Sequence, residues 1–477
     1  MDEIEDQKPN ASAHVEAVGE HHLGVGGHDP IVNEFPEGGF WGWLAVFGAA
    51  TAVFAGGVEY SFGVFLTYYT THFLSHHTAS QISWIGSGAA FIHTVVGLLI
   101  GKLYDDGWFR HIIFFGSCLQ ILSVMLLSIC TEYWQVWLCQ GLGLGVAAGC
   151  IWQPSISIVS QYFERRRSLV MGTVICGSAL GGVVFPMIVN NVFEKVGFGW
   201  GVRINGFIML FLLIIANLTM HPRLATRSLS GRLLVKREVL KSDLVRVDTD
   251  HTTTPQTIHK INYKHFFDAS FCVTTLGCFF IQLGTGMPYA YITTFATTQG
   301  NISPGLQFYL LPITFAGSFL GSPFWAGLAD RLGVFNIVIS TTLVSAGLQA
   351  AILGAKTDGP AVVISLLYGF MAAGFQSMNG PIYAVLSDTV LEIGHRMAFG
   401  FFVIGTATLI SSPIQGALLG AFPPEYTFWK PIVFSVLCLV IGVSLLTVAR
   451  IILSRSLRWD GREAGLNKKI FGIIKRV

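Results

Sequence analysis

The chain is poor in charge. Only 12% of its 477 residues are Asp, Glu, Lys or Arg, about half the share usual in soluble domains, while 52% are hydrophobic. A hydrocarbon core about 30 Å thick requires roughly 20 apolar residues per helix, and such runs recur along the chain. The composition therefore predicts an all-α, multi-pass protein of the lipid bilayer and excludes a soluble enzyme with a single anchor. The nearly neutral net charge of +2 gives no sign of a nucleic-acid partner.

The absence of several motifs and residue clusters limits the classes of function. No G-x-x-x-x-G-K-[ST] phosphate loop occurs, which disfavours an ATP-driven pump. All eight cysteines lie within apolar runs, where cysteine behaves as a small hydrophobe, so no disulfide and no metal cluster are predicted. No nucleophiles, metal ligands or paired carboxylates cluster at one depth. We therefore expect neither an enzyme nor a cofactor.

Long runs of low charge predict twelve spans. They lie near residues 40–66, 80–103, 110–131, 133–161, 167–190, 198–220, 268–296, 305–329, 334–355, 359–386, 396–421 and 429–450. Nearly all Lys and Arg residues fall in alternate connections and in the tails, the distribution typical of cytoplasmic segments. Both termini are therefore predicted to be cytoplasmic, in a protein of the plasma membrane rather than of the vacuolar or another internal membrane.

The spans divide the chain into five parts. A polar, disordered cytoplasmic tail is predicted for 1–36, a first six-helix bundle for 37–220 and a second for 266–450. The basic segment 221–265 reads as a cytoplasmic linker, either solvated or forming an amphipathic helix on the inner leaflet. Residues 451–477 form a basic cytoplasmic tail.

Two pairs of loops reveal an internal repeat. GKLYDDGWFRH resembles AGLADRLGVFN, with Asp105 and Asp330 at matching positions 225 residues apart. ERRRSLVMG and EIGHRMAFG share Glu and Gly at the same spacing, with an offset of 228 residues. A repeat of half the chain predicts two pseudo-symmetric bundles with a pathway between them, the plan of an alternating-access transporter.

The charges beside these loops are candidate gating residues, because an acid at a helix end can pair with a base in one conformation and release it in another. The competing interpretation is that they only fix the membrane orientation. The candidates are Asp105, Arg110, Arg165, Arg166, Arg167, Asp330 and Arg331.

Charges inside the spans are unfavourable in hydrocarbon and usually face a cavity. Glu59 is expected in the outer part of the first span, as a proton or substrate group or as an interfacial charge. His93 is expected deeper, as a proton carrier or a hydrogen-bonded structural residue. Their predicted depths argue against a direct pair. Arg203, at the outer start of the sixth span, is expected to be structural.

Uncharged polar side chains near mid-span mark the rest of the predicted pathway, although interhelical hydrogen bonding explains any single one equally well. They are Trp152, Gln153, Gln282, Tyr289, Tyr291, Gln376, Asn379 and Tyr383.

Several motifs resemble those of known carriers. GLADRLG resembles the G-x-x-x-D-R-x-G loop of the major facilitator superfamily, and the first-half loop resembles it loosely. EGGFWGW and YFERRRSLVMG resemble the [D/E]-G-G-x-G-W and Y-F-x-[K/R]-R-R-x-L-A-x-G elements of its monocarboxylate-porter family, in the fungal branch. The resemblance implies a monomeric secondary transporter of a small organic solute, with proton coupling as one option.

The chain departs from the lactate carriers of that family at two places. An alignment through SFGVF puts Tyr60 where they have a lysine, which makes Tyr60 a candidate pathway residue. The eighth span has no ionisable side chain except its tyrosine before Asp330, where they have an Asp/Arg pair. A substrate larger, more aromatic or less anionic than lactate is therefore an option, as in carriers of riboflavin or secondary metabolites. Efflux of a secondary metabolite by antiport is the alternative function, and a non-transporting sensor is a third.

Overall fold

The computed structural model of the chain describes residues 38–159, 161–163, 167–222, 268–299, 301–387, 390–420 and 426–459. These residues are helices and their connections, without β-strands, which confirms the predicted all-α class. The predicted N-terminal tail and nearly all of the predicted linker lie outside them. The last helix extends to Trp459, nine residues into the segment predicted as a C-terminal tail.

The described residues contain twelve long helices, which we number in chain order. They are α1 Gly39–Thr71, α2 Ala79–Tyr104, α3 Phe109–Leu127, α4 Tyr133–Val159, α5 Val170–Phe193, α6 Lys195–Thr219, α7 Ala269–Thr298, α8 Leu310–Leu332, α9 Val334–Gly354, α10 Asp358–Val385, α11 Gly394–Leu419 and α12 Trp429–Trp459. All except α8 are long and apolar enough to cross a bilayer. The helix α8 has 23 residues, but glycines, serines and prolines dilute its apolar run.

Two helices depart from regular α geometry. The helix α1 has a 3-10 segment at Gly57–Ser61, and α4 has a π-helical segment at Trp137–Gly143. Such segments change the direction of the side chains that follow and are frequent at functional sites. The helices α5 and α6 form one helical run that is broken at Gly197, whose φ of 78° favours glycine.

The internal repeat is visible in the backbone. Gly107, between α2 and α3, has a φ of 91°, and Gly333, between α8 and α9, has a φ of 88°. Both values lie in the left-handed region that a side chain rarely adopts. The two glycines are 226 residues apart, one more than the separation of Asp105 and Asp330 in the same loops. Glycine therefore provides a left-handed turn between the second and third helices of each half.

The helices form two groups that meet along several helix pairs. Contacts within α1–α6 and within α7–α12 are extensive, and α2 packs on α11, α5 on α8, and α1 on α7 between the groups. We call the end of the bundle where α1 ends and α2 begins the distal end, and the opposite end the basal end. An apolar cluster that includes Phe65, Phe295 and Leu311 joins both groups near the distal end.

Candidate functional site

Glu59 and His93 form a direct pair within the first half. Glu59 lies in the 3-10 segment of α1, and His93 lies near the middle of α2. Nδ1 of His93 is 3.1 Å from Oε2 of Glu59, and each side chain is less than one-fifth exposed. At this distance the imidazole N–H donates to the carboxylate, a charge-assisted hydrogen bond when either group is ionised.

The expectation that depth separates Glu59 from His93 is wrong. It assumed that the first span ends near residue 66, whereas α1 continues to Thr71. Glu59 lies twelve residues before the end of α1, and His93 lies fourteen residues after the start of α2. At about 1.5 Å per residue these positions are at nearly the same depth below the distal end. The pair therefore depends on where the helices end.

The pair lines a narrow recess among α1, α2 and α4, which in this conformation has room for about one water molecule. The ring of Trp152 meets the ring of His93 edge to face, with centroids 5.7 Å apart. The other lining residues are small or apolar, apart from Tyr60. The recess is too small for a solute in this conformation, and its walls combine one acid and one imidazole with an aromatic ring and apolar side chains. Gln153, the next residue on α4, is exposed and does not line the recess.

Aromatic rings continue from this recess into the second half. Tyr60 packs on Phe315 of α8 with centroids 5.0 Å apart, and Phe315 packs on Tyr289 of α7 at 5.1 Å. The ring of Phe315 also lies against Gly182 of α5, where an added Cβ would come within 2.7 Å of it. The hydroxyl of Tyr289 is 3.1 Å from Oγ of Ser318. Tyr60 and Tyr289 thus lie on either side of one ring that joins the halves.

The polar residues predicted in the second half lie in different surroundings. Gln282 donates to Thr408 of α11 at 3.0 Å, and Oε1 of Gln282 and Oδ1 of Asn379 are buried without a hydrogen-bond partner among the described residues. Such acceptors are the atoms that a solute or water satisfies. Gln376 is exposed. Tyr383 is fully buried, near Phe271 at the basal end of this half.

Hydrogen bonds close the distal end between the halves. Oγ1 of Thr67 and Oγ1 of Thr294 are 3.0 Å apart, and Ser80 donates to the carbonyl oxygen of Pro413 at 2.8 Å. Gly63 permits the closest approach, because an added Cβ would lie 2.7 Å from the carbonyl oxygen of Tyr289. The described conformation therefore has α1, α2, α7 and α11 in contact distally.

The predicted gating residues are only partly described. Arg110 and Arg331 are exposed at the basal end. Arg167 lies at the start of the helical run that contains α5, and Arg165 and Arg166 lie outside the described residues, as do the side chains of Arg167, Asp105 and Asp330. Their gating role stays a prediction.

Two charged contacts bear on structure rather than on the recess. Arg203 donates from Nε to Oγ of Ser128 at 3.0 Å and lies over the ring of Trp200, as its expected structural role requires. Arg396 is 3% exposed, lies 3.5 Å from Asp268 and stacks over the ring of Phe271. No local signal in the sequence distinguishes Arg396 from the exposed bases.

Among the described residues, no three His, Cys, Asp or Glu side chains are placed to hold a metal ion. The residues of the recess can exchange a proton between the Glu59 and His93 side chains and solvent. They can also contact a bound solute.

Membrane-length helices in two repeated groups are the architecture of a membrane transporter. The chain belongs to the Major Facilitator Superfamily, whose sequence profile matches residues 42–390.

Named relatives and solved structures agree with this assignment. The chain is 32% identical over 419 residues to the MFS transporter asaE of Aspergillus flavus, covering 87% of this chain and 88% of that protein. It is 32% identical over 441 residues to the aspyridones efflux protein apdF of Emericella nidulans, covering 92% and 82%. Its fold is similar to that of a peptide transporter POT, with a TM-score of 0.66 and 14% identity over 87% of this chain and 96% of that one.

Proposed function

We propose that this carrier exports a largely apolar, aromatic secondary metabolite in exchange for protons. The contact between Glu59 and His93 beside Trp152 carries the proposal, because it places two groups that can exchange a proton beside an aromatic ring. A similar protein is named for efflux of aspyridones, which favours export of such compounds over uptake of a monocarboxylate.

The surroundings of the recess disfavour a small anion such as lactate. Its lining contains one acid and no Lys or Arg, so a carboxylate would meet Glu59 without a permanent cation. Tyr60, at the place of the lysine in lactate carriers, lies against Phe315. An aromatic solute instead gains contact with Trp152 and Tyr60. Its polar groups can form hydrogen bonds with the amides on α7 and α10.

Proton exchange follows from the charge of the pair. With Glu59 ionised and His93 neutral, the pair has a charge of −1, and uptake of one proton makes it neutral overall. A net charge inside the hydrocarbon region is unfavourable, so protonation changes the relative free energy of the conformations that bury or hydrate the pair. An exporter of this kind releases the proton on the cytoplasmic side and binds the solute there.

Transport by purified protein in liposomes with an imposed pH gradient tests the proposal. The probes are 4-methylumbelliferone, riboflavin and lactate, each with and without the gradient. Gradient-driven movement of 4-methylumbelliferone against the proton flow, with little movement of lactate, is the expected result. Co-transport of lactate with protons would instead support the monocarboxylate-porter-like placement, which rests on EGGFWGW and YFERRRSLVMG.

The same proposal includes the orientation. The basic residues near the basal end predict cytoplasmic termini and a distal end that faces outward, in a carrier that acts as a monomer in the plasma membrane. Antibody access to an N-terminal epitope tag in intact and in permeabilised cells tests this orientation.

A further inference from the structure

Two cysteines lie in contact at the distal end of the first half. Cys130 is in the loop between α3 and α4, and Cys139 is in the π-helical segment of α4. Their sulfur atoms are 3.7 Å apart, and the Cys130 thiol also lies 3.2 Å from the carbonyl oxygen of Leu126. Cys130 is 9% exposed and Cys139 is half-buried. The apolar sequence around each residue had suggested two isolated hydrophobic side chains.

Both ends of the loop are held by other contacts. Oγ of Ser128 accepts from Arg203 at 3.0 Å, and the hydroxyl of Tyr133 donates to the carbonyl oxygen of Gln81 at 2.9 Å. A π-helical turn is wider than an α-helical turn and shifts the direction of the side chains in it. The contact between the two sulfur atoms therefore lies in a fixed part of the fold rather than in a freely moving loop.

We propose that Cys130 and Cys139 form a disulfide bond in the mature protein. A disulfide requires its sulfur atoms at about 2.05 Å, so the two sulfur atoms need to approach by about 1.7 Å. The predicted orientation puts this loop on the non-cytoplasmic side, where disulfides form and persist. The other described cysteines have no sulfur contact in the structure with a second cysteine.

The reaction balances through thiol–disulfide exchange with an oxidised dithiol oxidase of the secretory pathway. The thiolate of Cys139, the more accessible of the two, attacks the oxidase disulfide and releases one oxidase thiolate. The thiolate of Cys130 then attacks the mixed disulfide at Cys139 and releases the second. Two protons leave the cysteines and two electrons pass to the oxidase. Burial raises the pKa of the Cys130 thiol to about 12, so Cys130 is a poor first nucleophile.

The bond would fix the distal part of α4 to the loop before it. The neighbouring residue Gln140 accepts a hydrogen bond of 2.7 Å from Tyr69 of α1, so the constraint extends to the helix that contacts α7. The oxidised protein is therefore expected to hold the distal end of its first half more rigidly than the reduced protein.

Sequential alkylation of the full-length protein tests the bond. Cells are quenched in trichloroacetic acid to trap thiols, and N-ethylmaleimide is added in SDS. The sample is then reduced, labelled with deuterated N-ethylmaleimide and analysed by peptide mass spectrometry. We expect the second reagent, deuterated N-ethylmaleimide, on Cys130 and Cys139. The first reagent, ordinary N-ethylmaleimide, is expected on the other six cysteines. The first reagent on both Cys130 and Cys139 would overturn the proposal.

Variants separate this pair from other pairings. Cys130→Ser should move the label on Cys139 from the second reagent to the first, whereas Cys150→Ser, a buried change in the same helix, should leave the pattern unchanged. Dithiothreitol should lower the unfolding temperature of the parent protein by a few degrees and leave that of the double serine variant unchanged. Retention of the second label on Cys139 in Cys130→Ser would identify another partner and overturn the pairing.

Discussion

Thr67 of α1 and Thr294 of α7 share a hydrogen bond of 3.0 Å although 227 residues separate them. This separation falls between the two offsets of the internal repeat, 225 and 228 residues. Equivalent positions of the two halves therefore meet at the distal end. Gly63, four residues before Thr67, lies against the backbone of α7 in the same contact. The structure thus joins the halves through a pair of symmetry-related helices, and this contact has to open if the distal end is to admit solvent.

Replacement of Gly63 by Ala should open the distal end. The added Cβ would lie 2.7 Å from the carbonyl oxygen of Tyr289, and overpacking of this kind costs about 1–3 kcal/mol. Such an energy shifts a conformational equilibrium by about 5- to 150-fold. Pulsed EPR between nitroxides on keto amino acids at His72 and Thr298 should show a larger share of long distances. Gly97→Ala, where an added Cβ meets nothing within 4 Å, is the control.

Glu59→Gln and His93→Gln should each remove proton coupling. Either change removes a group that can exchange a proton, so gradient-driven transport should fall about tenfold or more. The double variant should be no worse than the single ones, because both residues act as one unit. Exchange without a gradient is measured alongside, and its loss in all three variants would indicate a structural role. His72→Gln, at an exposed histidine, is the matched control.

Phe315→Ala should let protons leak. The ring fills the space between Tyr60, Tyr289 and Gly182, and its removal leaves a cavity beside the charged recess. In liposomes with a trapped pH dye and an imposed potassium diffusion potential, the variant should let the lumen acidify without added solute. Liposomes that contain Phe315→Leu should remain impermeable to protons. Phe319→Ala, on a more exposed face of α8, is the control. Absence of a proton leak in Phe315→Ala would show that the ring does not seal this part of the bundle.

Arg396→Gln should destabilise the second half by about 2 kcal/mol or more. The change removes a buried cation that contacts Asp268, the ring of Phe271 and the carbonyl oxygen of Leu386. Asp268→Asn should cost no more than about 1 kcal/mol, since Asp268 is 42% exposed and Asn can still cap α7. Thermal unfolding in detergent, followed by size-exclusion chromatography, measures both, with exposed Lys430→Gln as control. Equal losses for the two variants would contradict this division.

The candidate site was predicted in part. A carboxylate and an imidazole in apolar runs are rare enough that Glu59 and His93 could be selected by residue type alone. Their contact could not be predicted, because an error of five residues in the end of α1 changes a depth by about 7 Å. Gln376 and Gln153 are exposed in the described conformation, and their place in the pathway stays a prediction.

The sequence by itself determined that the chain is a helical membrane protein, approximately where most of its spans lie, and that it repeats after half its length. These properties follow from lengths and residue types, because a backbone in hydrocarbon must satisfy its hydrogen bonds within each helix. Only the tertiary structure decided which side chains meet: Glu59 with His93, Thr67 with Thr294, and Cys130 with Cys139. Such contacts depend on helix ends, on local 3-10 and π segments and on the rotation of each helix against its neighbours, and apolar runs carry little information about any of these.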